Sequence, residues 1–148
     1  MDIIKVNNIS DFNNNPAAAI YAIKGAAFSS YNFYHEFVDE ITYEIGMMME
    51  LNRQEGYAVH RQKEFFVYYK GENTGITRRV DLVVDTPSGT FIVELKALNA
   101  VDDKQRRQLW SYMRLLNCQY GMLMNFSPTG VYSEVWAMNL HTYEFIKI

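Results

Sequence analysis

The chain has 148 residues, 49% of them hydrophobic and 21% charged, with a formal net charge of −3. That size and balance suit one globular domain with a real core, and they exclude a disordered chain. The acidic balance argues against a general nucleic-acid coat, which would be basic, and no apolar run approaches the ~20 residues of a membrane span.

The opening "MDIIKVNNISDFNNNP" lacks the basic start, long apolar middle and small-residue cleavage site of a signal peptide. The polar cluster "NNISDFNNN" reads as a helix entry, with Asn15 as N-cap and Pro16 at the first helical position. "PAAAIYAIKGAAF" is then expected to be helical. A second helix is expected over "HEFVDEITYEIGMMMELNRQ", stopping at Gly56. Phe37, Ile41, Ile45 and Met48 recur at helical spacing and read as its core stripe. After Gly56 the pattern changes. "YAVHRQKEF" and "FVYYKG" are rich in aromatic and β-branched residues and read as strands, followed by "RRVDLVVD" and "TFIVELKAL" around a "TPSG" turn. A helix is expected through "DDKQRRQLWSYMRLLN", capped by Asp102 or Asp103, with Leu109, Met113 and Leu116 inward. "YGMLMNF", "VYSEVWAM" and "YEFIKI" complete the strands. Helices, strands, one helix and more strands make an α/β or α+β domain with a mixed sheet, spanning residues 1–148. Cys118 is the single cysteine, which rules out an internal disulfide. It is expected to be a core thiol in a reducing, cytoplasmic protein.

The stretch "FIVELKAL" carries an acid and a base inside an apolar strand. If Thr86 to Gly89 form a hairpin loop, Asp85 pairs with Thr90, Val83 with Ile92 and Asp81 with Glu94. Alternation then places Asp81, Val83, Asp85, Glu94 and Lys96 on one face. Two carboxylates opposite each other repel, and a divalent cation would compensate them. Asp81, Glu94 and the Leu95 carbonyl would make an oxygen-rich site for Mg²⁺ or Mn²⁺, with Lys96 beside it to orient a water or offset phosphate charge. The plain alternative is a set of surface ion pairs, Asp81–Lys96 and Glu94–Lys96. Gln108 and Tyr112 lie one turn apart on the next helix, and Glu40 and Glu44 one turn apart on the earlier one. The first pair could pack on the site or serve the core. The second could add a ligand or form a solvated edge.

These residues resemble the PD-(D/E)XK nuclease superfamily in its form with a Q-x-x-x-Y helix, and more closely its small GxxExxY proteins. The similarity runs from about Ile23 to Phe126. "IKGAAF", the E-x-x-Y-E of Glu40, Tyr43 and Glu44, Glu50-Leu51, "HRQKEFFVYYKG", "RVDLVVD", "IVELKAL", "QLWSYMRLLN" and "GMLMNF" follow the family's order. Phe37 stands where the family has its first glycine, and Val80 where the superfamily has proline. The resemblance implies a restriction-endonuclease-like core: a mixed central sheet flanked by helices, binding Mg²⁺ and hydrolysing phosphodiester bonds, with no substrate specified; the first expectation is a nuclease acting on DNA. In it Asp81 and Glu94 hold the metal, Glu40 is a further acid, Lys96 positions the attacking water and Gln108 orients it. Tyr112, Tyr43 and Glu44 play supporting parts. Arg61, Arg78, Arg79, Arg106 and Arg107 are candidate phosphate contacts. Two other readings remain open: a non-cleaving module of the same fold that binds nucleic acid or a protein, and a subunit of an assembly. For the latter, Tyr132, Trp136, Tyr143 and Phe145 would serve an interface or simply the core, and a homodimer would carry two sites.

Overall fold

A computed structural model describes residues 15–148; the polar stretch from Asn7 to Asn14 lies outside them. Helix α1 spans Ala17–Tyr34, one residue later than expected: Pro16, whose side chain has no polar atom to cap with, holds the N-cap position, and the Asn15 side chain just before it accepts a hydrogen bond from the Ala17 amide at 2.9 Å. The second helix is shorter than its sequence suggests. α2 spans Glu40–Asn52, because the Asp39 carboxylate caps it by accepting from the Thr42 amide. His35 ends α1 with a left-handed φ of 60°, so the "HEFVD" stretch is a corner rather than helix.

The inward stripe of α2 also differs from the expected one. Tyr43, Glu44, Met47 and Leu51 are buried, whereas Phe37, Ile41 and Ile45 are 81%, 56% and 37% exposed and Met48 is half-buried. The helix carries two apolar stripes, and packing chose the one that stacks Tyr43 on Phe126 with ring centroids 4.2 Å apart. Gly46 permits the close crossing of the two helices: a Cβ there would lie 2.4 Å from Ser30 Oγ, which itself donates to the Tyr43 carbonyl.

The strands follow as β1 (Ala58–Tyr69), β2 (Glu72–Thr86) and β3 (Gly89–Lys96). The two stretches read separately as "YAVHRQKEF" and "FVYYKG" are one strand. Helix α3 (Asp103–Leu116) begins in a capping box formed by Asp102 and Gln105. β4 (Tyr120–Ser127), β5 (Gly130–Met138) and β6 (Phe145–Lys147) complete a six-stranded sheet in sequential order. Among the described residues only the β3–β4 pair is parallel, which is why α3 must cross between them. The sheet is therefore mixed, and with helices on both faces the fold is α+β.

Two apolar clusters cover the two faces. α1 and α2 pack with Leu82, Val84, Phe91, Val93 and Met124 on one side. On the other, Leu109, Met113 and Leu116 of α3 pack with Val83, Ile92 and Leu123. Cys118 is fully buried in the α3-side cluster; its thiol bonds the Thr90 and Tyr120 carbonyls, and burial pushes its pKa up to about 12. Trp136 and Phe145 pack against Trp110, the Arg114 guanidinium covers the Tyr143 ring and the Tyr132 hydroxyl donates to Glu134, so all four late aromatics have intramolecular partners. No helix among the described residues is long and apolar enough to cross a membrane.

One irregularity places the site. Leu82 and Val84 face α1 and α2, yet Val80 packs on the α3 side with Phe65. In a regular strand all three would share a face. The switch falls at Asp81 on β2 and at Gln62 on β1, where Gln62 adopts a left-handed φ of 51° in mid-strand. A non-glycine residue there stores about 1 kcal/mol or more of strain, a sign of functional constraint.

Candidate active site

The hairpin register is the expected one where the ladder exists: Asp85 pairs with Thr90 and Val83 with Ile92. The ladder stops at Leu82–Val93, one residue before Asp81 and Glu94. There the side chains take over from the backbone. Glu94 Oε1 accepts from the Asp81 amide at 3.2 Å, and Asp81 Oδ2 accepts from the Leu95 amide at 2.8 Å. Each acid satisfies a main-chain donor freed by the splaying strands. Each also keeps a second oxygen for another partner.

Glu94 is 2% exposed. Burial and the adjacent Asp81 charge push its carboxyl well above the usual range. No ion pair joins Lys96 to Asp81 or Glu94 among the described residues, so the reading of these groups as surface ion pairs does not describe the fold. Lys96 Nζ donates instead to Gln108 Oε1 at 2.8 Å, and Gln108 Nε2 donates to the Tyr112 hydroxyl at 3.3 Å. Tyr112 in turn meets Phe65 edge-on. The α3 pair thus faces the acidic strand residues, and Tyr112 serves both the core and this chain of hydrogen bonds. Burial and the Glu94 charge raise the Tyr112 pKa, which keeps its hydroxyl a donor.

On the other side of the splayed strands, Asp39, Glu40, Ile41, Glu44, Gln62 and Asp81 line a pocket of about 320 Å³. Glu40 is exposed at the start of α2; partial desolvation and the charges of Asp81 and Glu44 raise its pKa against the opposing pull of Lys96. Glu44 is buried and already engaged. It accepts from Arg61 Nη2 at 2.6 Å and from Gln62 Nε2 at 2.7 Å, though burial still raises its pKa. Tyr43 is an anchor for α2, with its hydroxyl on the His35 carbonyl. Gln62 and Asp39 carried no role in the sequence reading. Gln62 Nε2 reaches both Glu44 and, at 3.4 Å, Asp81. The only signal for it was the "HRQ" fragment, and its left-handed backbone has no mark in the sequence.

The arginines divide into two groups. Arg61 is spent on Glu44, and Arg106 on Glu134 and Asp103. Arg78, Arg79 and Arg107 are exposed and make no ion pair among the described residues.

The donor set suits a divalent cation of the oxygen-preferring kind. No group of three His, Cys, Asp or Glu side chains among the described residues could hold a metal by itself. Magnesium, however, is ordinarily held by one or two carboxylates with waters and substrate phosphate completing its shell. Asp81 and Glu94, two neighbouring carboxyls without a cation partner, meet that requirement.

No curated protein matches the chain. The crystal structure of SSO0001 superposes with a TM-score of 0.52 at 15% identity, covering 95% of this chain and 73% of that one; the likeness is one of fold. A sequence model of the PD-(D/E)XK nuclease superfamily matches residues 17–136, a span that contains the hairpin of Asp81 and Glu94 and the helix of Gln108 and Tyr112. The chain belongs to the PD-(D/E)XK nuclease superfamily.

Proposed function

We propose that this chain is a metal-dependent phosphodiesterase that cleaves nucleic acid, DNA by preference, and that within its superfamily it is one of the GxxExxY proteins. One observation carries the reading. A buried glutamate lies beside an aspartate with no cation to pair them, while the one nearby lysine is held off both by a glutamine. A purely structural cluster would use that lysine to neutralise the acids.

Asp81, Glu94 and the Leu95 carbonyl would hold Mg²⁺ or Mn²⁺, which would polarise the phosphoryl group and offset the carboxylates. Gln108 fixes the Lys96 ammonium, so its remaining donors point at a phosphate oxygen or an attacking water without costly reorganisation. Tyr112 fixes Gln108 in turn. Glu40, at the pocket rim, is the acid placed to orient water from the α2 side. Gln62 ties Asp81 to Glu44, so the carboxylate carrying the Arg61 charge braces the one facing the substrate. Arg78, Arg79 and Arg107 are free for phosphates.

The test joins calorimetry to cleavage. Mn²⁺ should bind the wild type in the micromolar-to-millimolar range, and Asp81→Asn should lose that binding. Lys96→Ala should keep metal binding and fold while losing cleavage about a hundredfold or more. Wild-type cleavage by Lys96→Ala would remove its assigned role. A folded wild type that neither binds Mn²⁺ nor cuts any nucleic acid would turn the reading to a non-cleaving module of the same fold.

A further inference from the structure

The β1–β2 hairpin is longer than the sheet it belongs to. β2 pairs with β3 only from Leu82 to Thr86, while β1 and β2 continue paired out to Tyr69 and Glu72. Every residue of β2 from Glu72 to Arg79 is exposed. At about 3.3 Å per residue this is roughly 20 Å of two-stranded ribbon with an unpaired β2 edge, its root held to the α3-side core by Phe65 and Val67 of β1. It is closed by a tight turn in which Lys70 and Gly71 both have positive φ, 49° and 82°. A bulge bends it: the register shifts between Phe66 and Tyr68, with Gly75 left-handed at φ 79° and Thr74 Oγ1 on the Val67 carbonyl.

Its chemistry differs from the rest of the chain. The whole protein is acidic, yet residues 63–80 hold the cations Lys63, Lys70, Arg78 and Arg79 against the acids Glu64 and Glu72. None of the four cations makes an ion pair among the described residues. Lys70 lies over the Tyr69 ring, and Arg78 bonds only the adjacent Thr77 carbonyl. Elsewhere Arg61 and Arg106 are neutralised by buried glutamates. Arg78 and Arg79 are strand neighbours and leave opposite faces of the ribbon. Arg78 pairs with Phe65 across the ribbon, and Phe65 packs in the α3-side cluster edge-on to Tyr112, which places Arg78 on the α3 side beside the candidate active site. Asp81 is two residues beyond Arg79 on the same strand.

We propose that this ribbon is a duplex-DNA grip that enters the groove next to the cleaved strand and delivers the phosphate to Asp81 and Glu94. A ribbon with cations on both faces meets two phosphate walls, which a duplex supplies and a single strand does not. The B-form major groove, about 12 Å wide, admits a two-stranded ribbon. The deep, narrow groove of A-form RNA does not. The proposal rests on the nuclease reading and narrows its DNA substrate to the duplex form.

The experiment measures binding of the full chain to a fluorescent DNA duplex, its single strand and an RNA duplex of the same sequence, by anisotropy over a salt series with EDTA to prevent cleavage. Wild type should bind the DNA duplex tightest. Arg78→Ala/Arg79→Ala should weaken duplex binding about tenfold and lower the slope of log affinity on log salt by about two. Single-strand binding should change less. Arg79→Gln serves as a milder variant, and circular dichroism melts should match wild type for both. Equal wild-type affinity for single strand or RNA duplex would overturn the proposal. So would a double variant with unchanged affinity and salt slope. A parallel cleavage assay with Mn²⁺ in place of EDTA separates the two readings: a double variant that grips and cuts duplex like a cutting wild type sinks the ribbon's role and leaves the nuclease reading standing. A folded wild type that binds and cuts no nucleic acid sinks both.

Discussion

Glu94 and Glu134 occupy one row of the sheet. Glu94 pairs with Leu123, and Leu123 pairs with Glu134 on its other side, so both acids share the α3 face. Both are 2% exposed. Their surroundings are opposite. Glu134 accepts from Arg106 through two nitrogens, from the Tyr132 hydroxyl at 2.7 Å and from Trp136 Nε1 at 2.9 Å. Burial pulls its carboxyl up, but these donors outweigh burial and hold it down at about 2. Glu94 has a single main-chain donor, with Asp81 beside it, and its pKa goes the other way. The same residue type, at the same depth on the same face, is a structural anion in one place and an unbalanced charge in the other. Burial alone therefore does not separate a structural acid from a candidate functional one; the missing partner does.

The contrast breaks most visibly on the Glu134 side. Glu134→Ala strands Arg106, the Tyr132 hydroxyl and the Trp136 indole, and should cost about 2 kcal/mol in urea unfolding. That is modest for a broken buried pair, because 24% of the Arg106 side chain stays exposed. No loss of stability would mean that the network is ornamental.

At Glu94 the signs reverse. Glu94→Gln keeps shape and hydrogen bonding while deleting the unfavourable charge, so it should raise the melting temperature at neutral pH. It should also reduce cleavage about a hundredfold or more. A variant that is both less stable and fully active would contradict the assignment twice over.

The smallest effect is one of pH. Glu94, Glu40 and Glu44 have folded pKa values above the ordinary glutamate value, so the folded state binds more protons in that window, and their contribution to stability grows as pH falls through it. Glu134 is depressed; the stability it gives above the ordinary glutamate pKa is lost as pH falls toward about 2. Urea unfolding from about pH 3 to about pH 9 should peak in the ordinary carboxyl range. Glu94→Gln should flatten the alkaline limb and Glu134→Gln the acid limb. Unchanged limbs in either variant would show that the acid is not the group titrating.

How much of this could be read beforehand depends on which residues signal locally. The "TPSG" turn fixed the hairpin register, and "DD" marked the cap of α3 to within one residue, because turn and cap chemistry act over a few residues. The pairing of Gln108 with Tyr112 followed from helical spacing. The inward face of α2 did not, since Ile41 and Ile45 are as apolar as Met47 and Leu51 and only the crossing at Gly46 chooses between them. Nor could Gln62 be found, because its role comes from a backbone conformation that the side-chain pattern does not encode. The engagement of Arg61 and Arg106 was hidden for the same kind of reason: their partners, Glu44 and Glu134, are distant in sequence.

Cys118 lies under α3 with no accessible surface and a thiol that stays protonated far above neutral pH. An alkylating reagent reacts with the thiolate, so it can modify this residue only when the cluster beneath α3 opens. The chain thus carries a built-in clock: the labelling rate of one native sulfur reads how often the core breathes, with no engineered probe. A ligand that stabilised the native fold would slow that clock.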